Sequence, residues 1–191
     1  MTDEWRLDVD QVLSVDQEVI VMQVDGVGSW GQGISWSQSL VSNIGDSDKV
    51  SLVSALQWTL EHYHVDHDKI GLMGAEYGGY LALKMITDSR SVADLVSCVL
   101  VRSPITQWQE YGQYQIIIST IFLILLSDSF MTSKYFGSDN LTDNYRAHQR
   151  ASLEGQMRYM RREVMMLVVS GMEDSRVDIS QTMRLARVSY L

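Results

Sequence analysis

A glycine-rich turn in the middle of the chain places a carboxylate where chemistry is often done. A short apolar run at 70–73 leads into the sequence G-A-E-Y-G, in which Gly74 and Gly78 flank Glu76, and a helix-like segment follows. This pattern has the frame of a nucleophile elbow, in which a tight turn lifts the central side chain above a sheet. The glycines let the strand and the helix approach closely. The central residue is a glutamate where such an elbow has a serine.

The elements that must position Glu76 alternate between strands and helices. Apolar runs predict strands at 19–24, 70–73, 95–101 and 164–169, and helical patterns predict helices at 47–63, 80–87 and 180–188. This alternation is typical of a parallel α/β sheet. Because functional groups gather at the carboxyl ends of such strands, we expect sites in the loops after Val24, Met73 and Val169.

Composition narrows the classes of function. The 191 residues carry 15 Lys and Arg against 24 Asp and Glu, which gives a net charge of −9, and 46% are apolar. These values predict one globular domain and disfavour nucleic acid or an anionic membrane surface as the main partner. A single cysteine excludes an internal disulfide and a cysteine-rich zinc site. The charged first ten residues are unlike a secretory signal.

Several segments together resemble one family. The run G-A-E-Y-G-G-Y at 74–80 resembles the G-W-S-Y-G-G-Y elbow of the dipeptidyl-peptidase-type enzymes in the prolyl oligopeptidase family. Segments at 24–29, 65–70, 103–108, 139–146 and 171–174 are similar, in the same order, to that family's F-D-G-R-G-S, V-D-x-x-R-I, A-P-V-T-x-W, D-N-L-x-x-Y-R and H-G-T-A-D motifs. The collinear order makes this resemblance far more specific than the elbow by itself.

The resemblance implies an α/β-hydrolase fold, with a mostly parallel sheet and helices on both faces. It implies that residues 1–191 form a partial peptidase-type domain, with the last strand and helix missing. We interpret residues 113–128 as an apolar insertion, either a lineage-specific loop or an unspliced segment. Its core, IIISTIFLILL at 116–126, is short for a membrane span. A buried strand or helix, an interface patch and a segment foreign to the domain all remain open for it.

A serine peptidase of this family uses Ser, Asp and His in that chain order. By resemblance, Glu76 occupies the nucleophile position, Asp174 the aspartate position, and the backbone N–H of Tyr77 would be an oxyanion donor. No histidine follows Asp174, and the resemblance places the triad histidine beyond Leu191. Arg176 could form a structural salt bridge with Glu76 or Asp174. A glutamate is a poor nucleophile for amide cleavage, because an acyl anhydride would have to form.

Other side chains are assigned more loosely. The residues that match the family's apolar pocket for the residue before the scissile bond are Ile105, Trp108, Tyr111 and Val177. Ordinary core packing explains each of them singly, but together they suggest a persistent pocket. The spacing of His62, His64 and His67 could suit a metal, but we interpret these residues as a surface turn. We therefore expect no metal and no cofactor.

These observations favour a catalytically inactive dipeptidyl-peptidase-like domain that acts through protein–protein contacts. The resemblance implies a peptide-like ligand or a membrane-protein partner, a homodimer in the full-length protein, and a membrane-anchored or extracellular location, although we find no signal or transmembrane segment in this chain. Three alternatives stay open. The chain could be a serine-type peptidase whose sequence here is truncated or wrongly assembled. Glu76 could form an ester intermediate. The chain could also be a fragment that does not fold stably.

Overall fold

The fold is that of a computed structural model, which describes residues 8–88, 90–111, 134–136, 142–157, 160 and 163–189. The helices are α1 (Val9–Val15), α2 (Ile34–Gln38), α3 (Ser47–His62), α4 (Tyr77–Asp88), α5 (Arg90–Ala93), α6 (Thr142–Ala151) and α7 (Ile179–Ser189). The strands are β1 (Ile70–Ala75), β2 (Val96–Arg102) and β3 (Met165–Val169). The predicted apolar insertion at 113–128 lies outside the described residues.

The strands form one parallel sheet in the order β1-β2-β3. Two backbone bonds extend the ladder past the strands, since Glu76 N–H donates to the Arg102 carbonyl at 2.9 Å and Ser103 N–H donates to the Val169 carbonyl at 2.8 Å. The carboxyl ends of the strands therefore meet at one edge. This arrangement confirms the parallel α/β prediction and the strands expected at 70–73, 95–101 and 164–169.

The strand predicted at 19–24 is wrong. These residues form no strand in the structure. Ile20 is 64% exposed and Met22 is 43% exposed, so the run buries little apolar surface. A strand also needs a neighbour to accept its backbone hydrogen bonds, and the three paired strands of the described residues do not include this run. Apolar composition alone therefore misled the sequence prediction.

Helix α4 covers one face of the sheet. It begins at Tyr77, three residues before the predicted start, and all residues at 79–86 are buried. A helix that is buried all round belongs to the interior of a domain. It packs against β1 and β2 on one side and against α3 on the other. Gly79 lets α4 lie close to the segment that follows β2, because a Cβ at this position would lie 3.2 Å from the Pro104 side chain.

The opposite face of the sheet is largely exposed in the described part of the chain. One row across the strands consists of Met73, Leu100 and Leu167, which are paired in register. They are 54%, 38% and 56% exposed, respectively.

A buried lysine ties α4 to the end of α6. Lys84 is 1% exposed, and its ammonium group donates to the Arg150 carbonyl at 2.9 Å and to Gln156 Oε1 at 2.7 Å. Its Nζ also lies 3.4 Å from a carboxylate oxygen of Asp88. Burial lowers the pKa of Lys84, and the Asp88 carboxylate opposes that shift. The three acceptors make it possible to bury this charge.

None of the helices in the described ranges is long and apolar enough to cross a membrane.

Candidate functional site

The elbow has the geometry that its glycines predict. Glu76 lies between β1 and α4 with a φ of 51°, in the left-handed region that non-glycine residues rarely adopt. A Cβ on Gly74 would lie 2.3 Å from the carbonyl oxygen of Gly78, so this position accepts no side chain. The Glu76 carbonyl accepts from the N–H groups of Tyr80 at 3.0 Å and Ile105 at 3.4 Å. Because the backbone of the turn is bonded on both sides, the strained conformation is held in place.

The Glu76 carboxylate is paired with a guanidinium group. Arg176 Nη1 lies 3.4 Å from both Oε1 and Oε2 of Glu76. The two side chains are 69% and 37% exposed for Arg176 and Glu76, respectively. An ion pair this exposed stabilises a fold by less than about 1 kcal/mol, so its main consequence is local. The pair places a positive charge beside the Glu76 carboxylate, and it confirms the predicted pairing with Arg176.

Asp174, after β3, accepts three hydrogen bonds from nearby residues. Its Oδ2 accepts from Ser103 Oγ at 2.6 Å. Its Oδ1 accepts from the backbone N–H groups of Arg176 at 2.9 Å and Val177 at 3.1 Å. The Ser103 hydroxyl is the main cause that lowers the pKa of Asp174. Within the described residues, the side-chain donor to Asp174 is therefore the Ser103 hydroxyl.

Ser103 itself is unusual. It follows β2, is 4% exposed and has a φ of 43°. A serine in this left-handed conformation is strained unless its surroundings impose it. The bond to Asp174 and the backbone bond to the Val169 carbonyl supply that constraint.

We expect Ser103→Ala to raise the pKa of Asp174, because the largest cause that lowers it is removed. A lowered pKa stabilises the fold at pH values above the ordinary 3.8, and this contribution disappears as pH falls through the folded-state value. The variant should therefore lose less stability on acidification. NMR titration of the carboxylate and urea unfolding at several pH values measure both effects.

Ser103→Gly is the matched control, because it removes the same hydroxyl but accommodates a positive φ. It should raise the pKa of Asp174 as much as alanine does while unfolding at a higher urea concentration than the alanine variant. An unchanged pKa in both variants would show that the Ser103 hydroxyl does not hold the carboxylate.

Tyr77 is the first residue of α4. Backbone N–H groups in the first turn of a helix have no acceptor within that helix, and they favour negative charge. The predicted oxyanion donor, the Tyr77 N–H, is therefore a backbone donor at the N-terminal end of α4, where negative charge is favoured. Its side chain points elsewhere, since the Tyr77 hydroxyl donates to Asp48 Oδ2.

The predicted pocket residues pack into the core beside the elbow. Ile105, Trp108 and Val177 are each 2% exposed, and Tyr111 packs against the same core. The Trp108 ring meets the Tyr111 ring edge to face, with centroids 5.6 Å apart. The structure brings these side chains together, and whether they admit a ligand stays a prediction.

The histidines that could suggest a metal lie between α3 and β1 or at the end of α3. His62 stacks on Trp58 with ring centroids 4.4 Å apart, and its Nδ1 lies 2.8 Å from the Trp58 carbonyl oxygen. His64 and His67 are exposed. Across the ranges that the structure covers, no group of three His, Cys, Asp or Glu side chains could hold a metal ion.

Two residues near the elbow were missed by sequence reasoning. Ser103 could have been found, because it follows a predicted strand and lies at the same sheet edge as Glu76 and Asp174. Asp48 has no such signal. It is an ordinary acidic residue in the first turn of α3, and only the folded chain brings it to Tyr77.

Sequence comparison relates this chain to known proteins over most of its length. The model of the prolyl oligopeptidase family matches residues 5–188. The chain is 30% identical over 112 residues to the inactive dipeptidyl peptidase 10 of Mus musculus, which covers 59% of this chain and 14% of that protein. It is 21% identical over 183 residues to the dipeptidyl peptidase 4 of Bos taurus, which covers 96% of this chain and 21% of that protein. The chain thus spans about a fifth or less of these relatives.

A solved structure shows the same fold. An acylaminoacyl peptidase in complex with Z-Gly-Gly-Phe-chloromethyl ketone superposes with a TM-score of 0.64 at 19% identity, over 86% of this chain and 24% of that one. This similarity confirms the predicted α/β-hydrolase fold.

Proposed function

The chain belongs to the prolyl oligopeptidase family, and we propose that it is a dipeptidyl-peptidase-like domain that does not hydrolyse peptides and acts through contacts with other molecules. One observation carries the proposal. The residue at the apex of the elbow is a glutamate, and its carboxylate pairs with Arg176 rather than with a base.

The chemistry of the site supports inactivity. Peptide hydrolysis of this type uses a hydroxyl nucleophile that an adjacent base activates. The apex of this elbow carries the Glu76 carboxylate in place of that hydroxyl. A carboxylate at this point also repels the oxyanion that develops during acyl transfer.

The partner is inferred from the family. One relative that matches over more than half of this chain is named an inactive dipeptidyl peptidase, so loss of catalysis has a precedent among similar chains. We propose a peptide-like ligand or a membrane-protein partner, homodimers of the full-length protein, and a membrane-anchored or extracellular location. These assignments are inferred from relatives that are much longer than the segment they share with this chain.

Hydrolysis assays test the proposal. The wild-type chain and Glu76→Gln are incubated with a fluorogenic X-Pro dipeptide amide and with a p-nitrophenyl ester, which is a less demanding substrate. We expect both proteins to give the uncatalysed rate with both substrates. A wild-type rate above that background that Glu76→Gln abolishes would establish Glu76 as a nucleophile or base and would overturn the proposal.

A further inference from the structure

Asp48 is a buried carboxyl group outside the residues that the family motifs assign. It lies in the first turn of α3 and is 1% exposed. Its Oδ2 accepts a hydrogen bond from the Tyr77 hydroxyl, and its Oδ1 accepts from the Lys49 N–H at 3.0 Å. A carboxyl group is rarely buried unless both of its oxygens are bonded.

The partner of Asp48 is the residue next to the apex of the elbow. Tyr77 directly follows Glu76, and its ring packs against Tyr80 and Trp108 with centroid distances of 5.8 and 5.9 Å. The Asp48–Tyr77 bond therefore connects α3 to the residue at which the left-handed turn becomes α4. A backbone held in a strained conformation depends on such external contacts.

The surroundings of Tyr77 keep its hydroxyl protonated, so it stays the donor in the hydrogen bond to Asp48. Burial raises the pKa of Tyr77 far above its ordinary value, and the adjacent Asp48 carboxyl group adds to this shift. Tyr77 therefore remains a proton donor at any physiological pH. Burial also raises the pKa of Asp48, while the hydrogen bond from Tyr77 opposes that shift.

We propose that Asp48 is a positioning residue for the elbow. By holding the Tyr77 hydroxyl, it fixes the turn at Glu76 and the direction of the first N–H groups of α4. It acts through Tyr77 and need touch no ligand. The inference concerns the geometry of the elbow, so it stands or falls separately from the absence of catalysis.

Hydrogen exchange in the full chain tests this role, because two elbow amides report on the turn. The Glu76 N–H is bonded to the Arg102 carbonyl, and the Tyr80 N–H is bonded to the Glu76 carbonyl. Losing one hydrogen bond to a charged group should speed their exchange about tenfold. We expect this acceleration in Asp48→Ala and in Tyr77→Phe. The double variant should exchange no faster than the faster single variant, because both substitutions remove the same bond.

Reference amides and a control variant separate positioning from general stability. The Leu153 N–H, which is bonded to the Thr106 carbonyl at 2.9 Å, should keep its exchange rate. Asp46→Ala should leave the elbow amides unchanged, since the Asp46 side chain is 50% exposed. If Asp48→Ala fails to fold, Tyr77→Phe still tests the bond because it keeps the ring. Equal acceleration at Leu153, additive effects in the double variant, or no acceleration at the elbow would each overturn the inference.

Discussion

Replacing Gly74 with alanine is expected to lower the free energy of unfolding by more than about 3 kcal/mol, since overpacking against rigid backbone reaches the upper end of its usual cost. The new Cβ would lie 2.3 Å from the Gly78 carbonyl oxygen and 2.7 Å from the Gly79 nitrogen. Both atoms belong to the first turn of α4, so relief requires the helix to move off β1. Urea unfolding of the purified chain measures the loss.

Gly78→Ala is the control for this prediction. It lies four residues away in the same elbow, and a Cβ there would meet no atom within 4 Å. Because Gly78 lies in the first turn of α4, where helix propensity counts less than in the interior, this variant should stay within about 1 kcal/mol of the wild type. Equal stability of the two variants would show that β1 and α4 are not in the close contact described above.

Lys84→Met should be the second most damaging substitution, with a loss of about 1 to 3 kcal/mol, which is the usual cost of a buried acceptor left without a donor. Gln156 Oε1 would lose the Lys84 donor in a part-buried site, while the Arg150 carbonyl would keep a donor, Gln156 Nε2 at 3.3 Å. Asp88 would keep a partner, since Lys49 Nζ lies 2.7 Å from its Oδ2. Methionine keeps much of the volume, so the loss reports mainly on the hydrogen bonds.

Lys69→Met serves as the comparison for Lys84. Lys69 also pairs with an aspartate, Asp66, at 3.2 Å, but its side chain is 81% exposed. Exposed pairs contribute less than about 1 kcal/mol, so this variant should unfold within that margin of the wild type. Thermal or urea unfolding of both variants gives the comparison. A loss for Lys84→Met no larger than that for Lys69→Met would contradict the structural role of the buried lysine.

The sequence predicted the sheet well because its strands are nearly continuous apolar runs, as is typical of parallel sheets. The runs at 95–101 and 164–169 differ from β2 and β3 by one residue at most at each end. The run at 19–24 is apolar too, but its failure to pair is a long-range property that composition does not encode. The start of α4 was placed late, because two glycines at 78–79 suggested a turn where the helix tolerates them.

The site was predictable as far as local motifs reach. The glycine spacing identified Glu76, and the strand-end rule pointed to the loop that carries Asp174 and Arg176. The role of Asp48 could not be predicted from the sequence, because the Asp48 carboxyl group meets Tyr77 only when α3 packs against α4. Val50 shows the same limit, because it is an apolar residue of the helix predicted at 47–63 and yet is 59% exposed.

Polar side chains join the ends of the three strands. Glu76 follows β1, Ser103 follows β2, and Asp174 follows β3. The Glu76–Arg176 pair and the Ser103–Asp174 bond link these ends across the sheet edge. These contacts hold the loops at the carboxyl edge of the sheet in a fixed arrangement.

Labelling with a fluorophosphonate tests most directly the central claim that the site holds no activated nucleophile. The reagent phosphonylates an activated serine with loss of fluoride, and Ser103 is the serine bonded to Asp174. Intact-protein and peptide mass spectrometry should show no more adduct on the folded wild-type chain than on the urea-denatured chain. A stoichiometric adduct on Ser103 that Asp174→Asn abolishes would contradict the account.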